Sequence, residues 1–208
     1  MKKIMILLLI MLMVCPLAVS AEGSTRVAAT AKKEMTANQK AAKALMTKFL
    51  KAAKKYNAKT MANCFVDPSK AGVFVNNTYM AAVCRKYNKR EFSYRIVKVI
   101  ASGKNATVRV AIEYPDLYPA VYPAMEDMIT HLIYYPNLSS EEIQKYIATR
   151  VKHHLKYEDY DWEEVTINFK LKKTKKGWKI TKTTNAIKNA INCGYQSAYK
   201  NVFASYGL

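Results

Sequence analysis

Apolar and polar residues alternate twice between Glu163 and Thr183. Val165, Ile167, Phe169 and Leu171 interleave with Thr166, Asn168, Lys170 and Lys172, the pattern of a half-buried strand. Thr174-Lys175-Lys176-Gly177 then supplies a turn, and Trp178 and Ile180 return in alternation with Lys179 and Thr181. One face of this hairpin is apolar throughout, so it needs a cover. An earlier stretch repeats the form: a strand over 92–101, the turn Ser102-Gly103-Lys104-Asn105, and a second strand in which Val108, Val110, Ile112 and Tyr114 alternate with Thr107, Arg109, Ala111 and Glu113. Pro115 is expected to end that pairing, because it has no N–H for a ladder.

Three- and four-residue spacing marks the helices. Thr36 and Gln39 have capping-box spacing, and behind them Ala42, Leu45, Met46, Phe49, Leu50 and Ala53 share a face while Lys43, Lys48, Lys51 and Lys54 turn away. A short helix carrying Met61, Cys64 and Phe65 is expected to stop at Asp67-Pro68, and a third is expected over 77–87. Prolines 115, 119, 123 and 136 should cut the next region into short pieces, with a helix around 125–134. Ser139 and Glu142 introduce another helix, on which Ile143, Tyr146, Ile147, Val151, His154 and Leu155 fall together. Thr184 caps a long amphipathic helix predicted over about 185–206, with Gly194 on its apolar stripe. The fold class is therefore α+β: N-terminal helices packed on a curved antiparallel sheet, with a helical insertion over about 115–161 and an added C-terminal helix.

Half of the 208 residues are hydrophobic, enough for one domain, expected over 36–208. Before it, Lys2 and Lys3 precede an apolar run that ends in small residues at Val19 and Ala21. This is the form of a cleaved secretory signal over 1–21, followed by a flexible leader over 22–35. The run is shorter than a membrane span and is broken by Pro16. The chain is thus read as exported: secreted, periplasmic or attached to the cell envelope.

Charge changes the picture further. The formal net charge is +19, yet the stretch from Glu113 to Glu164 holds eleven of the fifteen acids against four basic residues, a local balance of −7. The remainder is strongly basic, and Lys170, Lys172, Lys173, Lys175, Lys176 and Lys179 concentrate on one hairpin. Such a patch suits an anionic polymer of the envelope. Nucleic acid is disfavoured by export and by the lack of aromatic residues interleaved with these lysines.

Helices first, then hairpins, with Asn105-Ala106-Thr107-Val108 opening one strand and Gly177-Trp178-Lys179-Ile180 forming another, resembles the nuclear transport factor 2-like (cystatin-like cone) superfamily and its exported bacterial branch. The resemblance runs over about 36–183. It implies a sheet curled around the first helix to enclose an apolar pocket. Phe49, Leu50, Val110, Ile112, Tyr114, Phe169 and Trp178 are the candidates to line that pocket, with Tyr114 as a polar contact. Some enzymes of the superfamily use an Asp or His there, which makes Asp116, His131 and His154 the catalytic candidates. A packed, hydrogen-bonded histidine is the simpler reading of His154, given its place on an apolar stripe.

Other chemistry is sparse. His153 and His154 project about 100° apart on a helix, so they do not share one ion readily. Asp159, Asp161 and Glu163 lack the glycine of a calcium loop. No cofactor or metal is expected. Cys64 and Cys84, on neighbouring short helices, are a candidate disulfide. The favoured function is a noncatalytic binding or interaction module for an apolar small molecule or a protein. A pocket enzyme and a basic envelope-polymer-binding protein are the alternatives.

Overall fold

The computed structural model describes residues 34–73, 78–157 and 159–207. The signal segment 1–21 and all but the last two residues of the leader lie outside them. Helix α1 (Ala37–Lys54) opens with the expected capping box: Gln39 N–H donates to the Thr36 hydroxyl at 3.3 Å, and Thr36 N–H donates to Gln39 Oε1 at 2.9 Å. Helix α2 (Ala58–Ala62) and a 3₁₀ turn (Pro68–Ala71) lead to α3 (Thr78–Glu91). Strands β1 (Ser93–Ser102) and β2 (Asn105–Asp116) follow, then helices α4 (Tyr118–Tyr134) and α5 (Ser140–His154). Strands β3 (Asp161–Thr174) and β4 (Gly177–Ile180) precede α6 (Asn185–Ile191) and α7 (Tyr195–Ser205). The four strands pair antiparallel in the order β1-β2-β3-β4, so the predicted α+β class is the class observed.

All the helices that touch the sheet lie on one side of it. Helix α1 packs on β1, β2 and β4, α3 on β2, and α6 on β2 and β3. The inward residues Val108, Val110, Ile112, Ile167, Phe169, Leu171 and Ile180 are buried beneath them. A bulge at Val97 decides what β1 presents to each side: Ile96 pairs with Val110, but the next paired residue is Lys98, opposite Arg109. Without that extra residue Lys98 would point into the core; with it, Val99 and Ala101 point in and Lys98 points out.

Three expectations are corrected. Pro115 does not end β2, which continues through Pro115 opposite Trp162 and Asp116 opposite Asp161. The prolines do not chop the next region either, because α4 is one helix of 17 residues. Pro119 occupies its first turn, where backbone N–H groups have no intrahelical partner. Pro123 comes only one turn later, so the N–H it lacks costs a single bond. The predicted C-terminal helix is two helices. Cys193 and Gly194 take φ values of 53° and 79°, successive left-handed residues that no continuous helix accommodates.

A buried polar network holds that break in place. The Tyr56 hydroxyl donates to Asn192 Oδ1 at 2.6 Å, and Asn192 Nδ2 donates to the Gly72 carbonyl at 2.7 Å. Asn88 Nδ2 donates to the Ile191 carbonyl at 2.9 Å, and Leu117 N–H donates to the Cys193 carbonyl at 3.0 Å. Asn88 and Asn192 are both buried, and satisfying each of them ties α6 and α7 to α1, α3 and β2.

Candidate functional site

The residues proposed to line a pocket sit in the core instead. Phe49 is fully buried and meets Phe65 and Phe169 edge-on, with ring centroids 5.7 and 5.6 Å apart. Leu50, Val110 and Ile112 are buried around them, and Tyr114 and Trp178 close the periphery. The space between α1 and the sheet is occupied by these side chains. The added helix α6 covers the same inner face with Ile187, Ala190 and Ile191. The Trp178 indole N–H is buried without an acceptor among the described residues.

The three catalytic candidates do not converge. Asp116 lies at the end of β2, where its carboxylate accepts from Tyr118 N–H at 3.1 Å. Burial pushes its carboxyl above the ordinary value, with Glu163 and Asp161 adding to the effect against that hydrogen bond. His131 stacks on Tyr146 at 4.2 Å, across the α4–α5 hairpin. His154 is two turns beyond Tyr146 on α5, about 12 Å along the axis, and its Nε2 lies 3.1 Å from Asp127 Oδ2. This is the packed, hydrogen-bonded histidine expected from the stripe. Among the described residues no three His, Cys, Asp or Glu side chains gather in a way that could hold a metal ion.

Asp127 was not singled out from sequence, although an acid in the middle of an otherwise largely apolar helix asks for a partner. Arg150 Nε donates to the same oxygen, Oδ2, at 2.6 Å, so one carboxylate pins α4 to two successive turns of α5. Burial disfavours its charge, but the hydrogen bonds from His154 and Arg150 outweigh that and hold the Asp127 carboxyl below its ordinary value. A folded-state value below the unfolded one makes the pin fully present above the usual carboxylate range and lost as pH falls through the folded value. Asp127→Asn is therefore expected to cost about 1 kcal/mol at neutral pH, a figure already reduced for solvent screening. Urea unfolding should show that difference shrinking in acid.

The sheet's other face has no helix over it among the described residues. Arg95, Lys98, Arg109, Lys170 and Lys172 point outward from β1, β2 and β3 and are exposed. Lys98 stands directly opposite Arg109, and Lys172 directly opposite Lys179. Facing like charges on adjacent strands are unfavourable. Among the described residues, Arg95, Lys98, Arg109 and Lys172 form no ion pair. Lys170 Nζ donates to the Thr107 hydroxyl at 3.2 Å, and Lys179 Nζ donates to the Asn63 carbonyl.

The track continues past the strand ends. The two hairpin turns are joined by Lys173 N–H donating to the Lys104 carbonyl at 2.8 Å. Between them lies a depression of about 490 Å³ lined by Gly103, Lys104, Lys172, Lys173, Thr174 and Lys175. From the level of Arg95 to that of Lys172 the strands run about 20 Å. The opposite end of the face carries Glu113 opposite Glu164, which closes the basic track on that side.

The basic hairpin predicted from sequence is thus divided by the pleat. Lys170 and Lys172 belong to the open face with Lys179 at its edge, while Lys173 turns toward α1 and bonds Asn38 Oδ1 at 3.2 Å. Lys175 and Lys176 belong to the turn. Arg95, Lys98 and Arg109 were missed because they join the lysines only through cross-strand register and the Val97 bulge. Cys64 and Cys84, the candidate pair, are free buried thiols here, as is Cys193, and it is Cys193 that lies against Cys84.

No helix of the described residues is long and apolar enough to cross a membrane. No protein-family model matches the chain, and no curated protein matches it. Among solved structures, a candidate dehydratase of the NTF2-like family from Streptomyces avermitilis is 11% identical, with 70% of this chain and 92% of that one covered at a TM-score of 0.36. The candidate lipoprotein YcdA from Bacillus subtilis is 14% identical over 73% of this chain, also at 0.36, and less than half of its length, 46%, is spanned. At that level of superposition neither match assigns an activity, a ligand or a location to this chain.

Proposed function

We propose that the chain is an exported, noncatalytic binding module that holds a linear anionic polymer against the open face of its sheet. The observation that carries this reading is the uncovered row of Arg95, Lys98, Arg109 and Lys172, in which Lys98 faces Arg109 and Lys172 faces Lys179 with no ion pair to them among the described residues. A polyanion laid along the strands would relieve that repulsion at each step and end among the lysines of the two turns. Export rests on the form of residues 1–21, and it favours envelope polymers over nucleic acid as the partner. An apolar ligand has less to recommend it, because Phe49, Leu50 and Phe169 are already packed on protein. The scattered positions of Asp116, His131 and His154 favour binding over chemistry.

Titration of the chain with long-chain inorganic polyphosphate, followed by fluorescence or calorimetry, tests the reading. Affinity is expected to fall steeply as salt rises, because binding releases counterions from the polymer. Neutral dextran of the same length should not bind. Polyphosphate affinity that ignores salt, or equal affinity for dextran, would defeat the proposal.

A further inference from the structure

We propose that Cys84 and Cys193 close to a disulfide when the chain folds under oxidising conditions, tying α3 to the break between α6 and α7. Both thiols are fully buried, and the Cys193 thiol lies against Cys84. Cys193 Sγ also donates to Asn88 Oδ1 at 3.2 Å. Asn88 follows Cys84 by four residues on α3, so both partners of Cys193 fall on one stripe of that helix. The backbone on the other side is fixed as well. Leu117 N–H holds the Cys193 carbonyl, and Gly194 N–H donates to the Asn189 carbonyl at 3.0 Å. Closing the bridge brings the two sulfurs to about 2 Å from each other. Cys64 is occupied elsewhere, its thiol donating to the Thr60 carbonyl one turn back at 3.3 Å.

Closing the bridge removes two protons and two electrons from the thiols. A disulfide oxidant such as oxidised glutathione accepts them as its own S–S bond breaks to give two thiols. Burial, reinforced by the contact with Cys84, pushes the Cys193 thiol well above its ordinary value, so Cys193 holds little thiolate in the folded reduced protein. The bridge should therefore form during folding, and the folded reduced chain should oxidise slowly.

The test is to reduce and denature the chain, refold it in glutathione redox buffer, alkylate it, and map its peptides by mass spectrometry. The expected product links Cys84 to Cys193 and leaves Cys64 alkylated. Its melting temperature should exceed that of the reduced chain by on the order of 5–10 °C. Cys64→Ser should keep both the linked peptide and the shift, and Cys84→Ser should lose both. Alkylation of Cys84 and Cys193 together, linkage of either to another cysteine, or a linked product with no gain in melting temperature would overturn the proposal. The peptide map is read on the unsubstituted chain, so it decides the matter even where Cys84→Ser fails to fold.

Discussion

Gly194→Ala is expected to destabilise the chain by about 2–3 kcal/mol. Gly194 has a φ of 79°, and forcing a residue with a Cβ into the left-handed region costs roughly 1–2 kcal/mol. The added carbon would also overlap the Asp116 carboxylate oxygen and lie 3.3 Å from Tyr118 N. Asp116 would have to leave the bond it accepts from Tyr118 N–H, a turn-capping interaction worth about 1 kcal/mol. In a domain of this size the sum corresponds to a fall in melting temperature of roughly 4–12 °C, measurable by thermal unfolding. Gly103→Ala, at a turn with open space around the site, should cost much less despite its φ of 55°. Equal losses at the two glycines would show that the contact with Asp116 does not matter.

Lys98→Glu with Lys172→Glu is expected to separate binding from stability. Each lysine stands across from a cation, Arg109 or Lys179, so each glutamate would convert a repulsive cross-strand pair into an attractive one. Stability should hold or rise by about 0.2–1 kcal/mol per site. Polyphosphate affinity should meanwhile drop about 100-fold or more, as expected when two charge-assisted hydrogen bonds to the polymer are removed. Loss of binding together with loss of stability would point to an ordinary structural role for these lysines. Unchanged binding would remove them from the site.

Elements whose signals are local were legible in the sequence. The capping boxes at Thr36 and Ser139 start α1 and α5 where expected, and the alternation of Val165 to Leu171 places β3. The errors fall where a local signal met a tertiary one. Pro119 and Pro123 read as breakers, but Pro119 sits in the first turn of α4, where N–H groups have no intrahelical partner, and Pro123 forfeits only one bond. Gly194 read as a small residue on an apolar stripe, whereas its left-handed φ ends one helix and starts the next. The candidate site was half visible. The lysines of the second hairpin are close together in sequence, but Arg95, Lys98 and Arg109 reach them only through strand register. The Val97 bulge that turns Lys98 outward leaves no mark in the alternation beyond two adjacent apolar residues, Ile96 and Val97. The pocket residues were read correctly as inward, and inward positions in a filled core have the same pattern as those around a cavity.

The most direct measurement is a map of backbone amide shifts on adding polyphosphate to isotope-labelled chain. The largest changes are expected at Arg95, Lys98, Arg109 and Lys172 and in the turns carrying Lys104 and Lys175, with the Phe49–Phe169 core and the Asp127–His154 pin unmoved. Changes centred on α4 and α5, or spread through the core while the open face stays silent, would contradict polymer binding by the sheet.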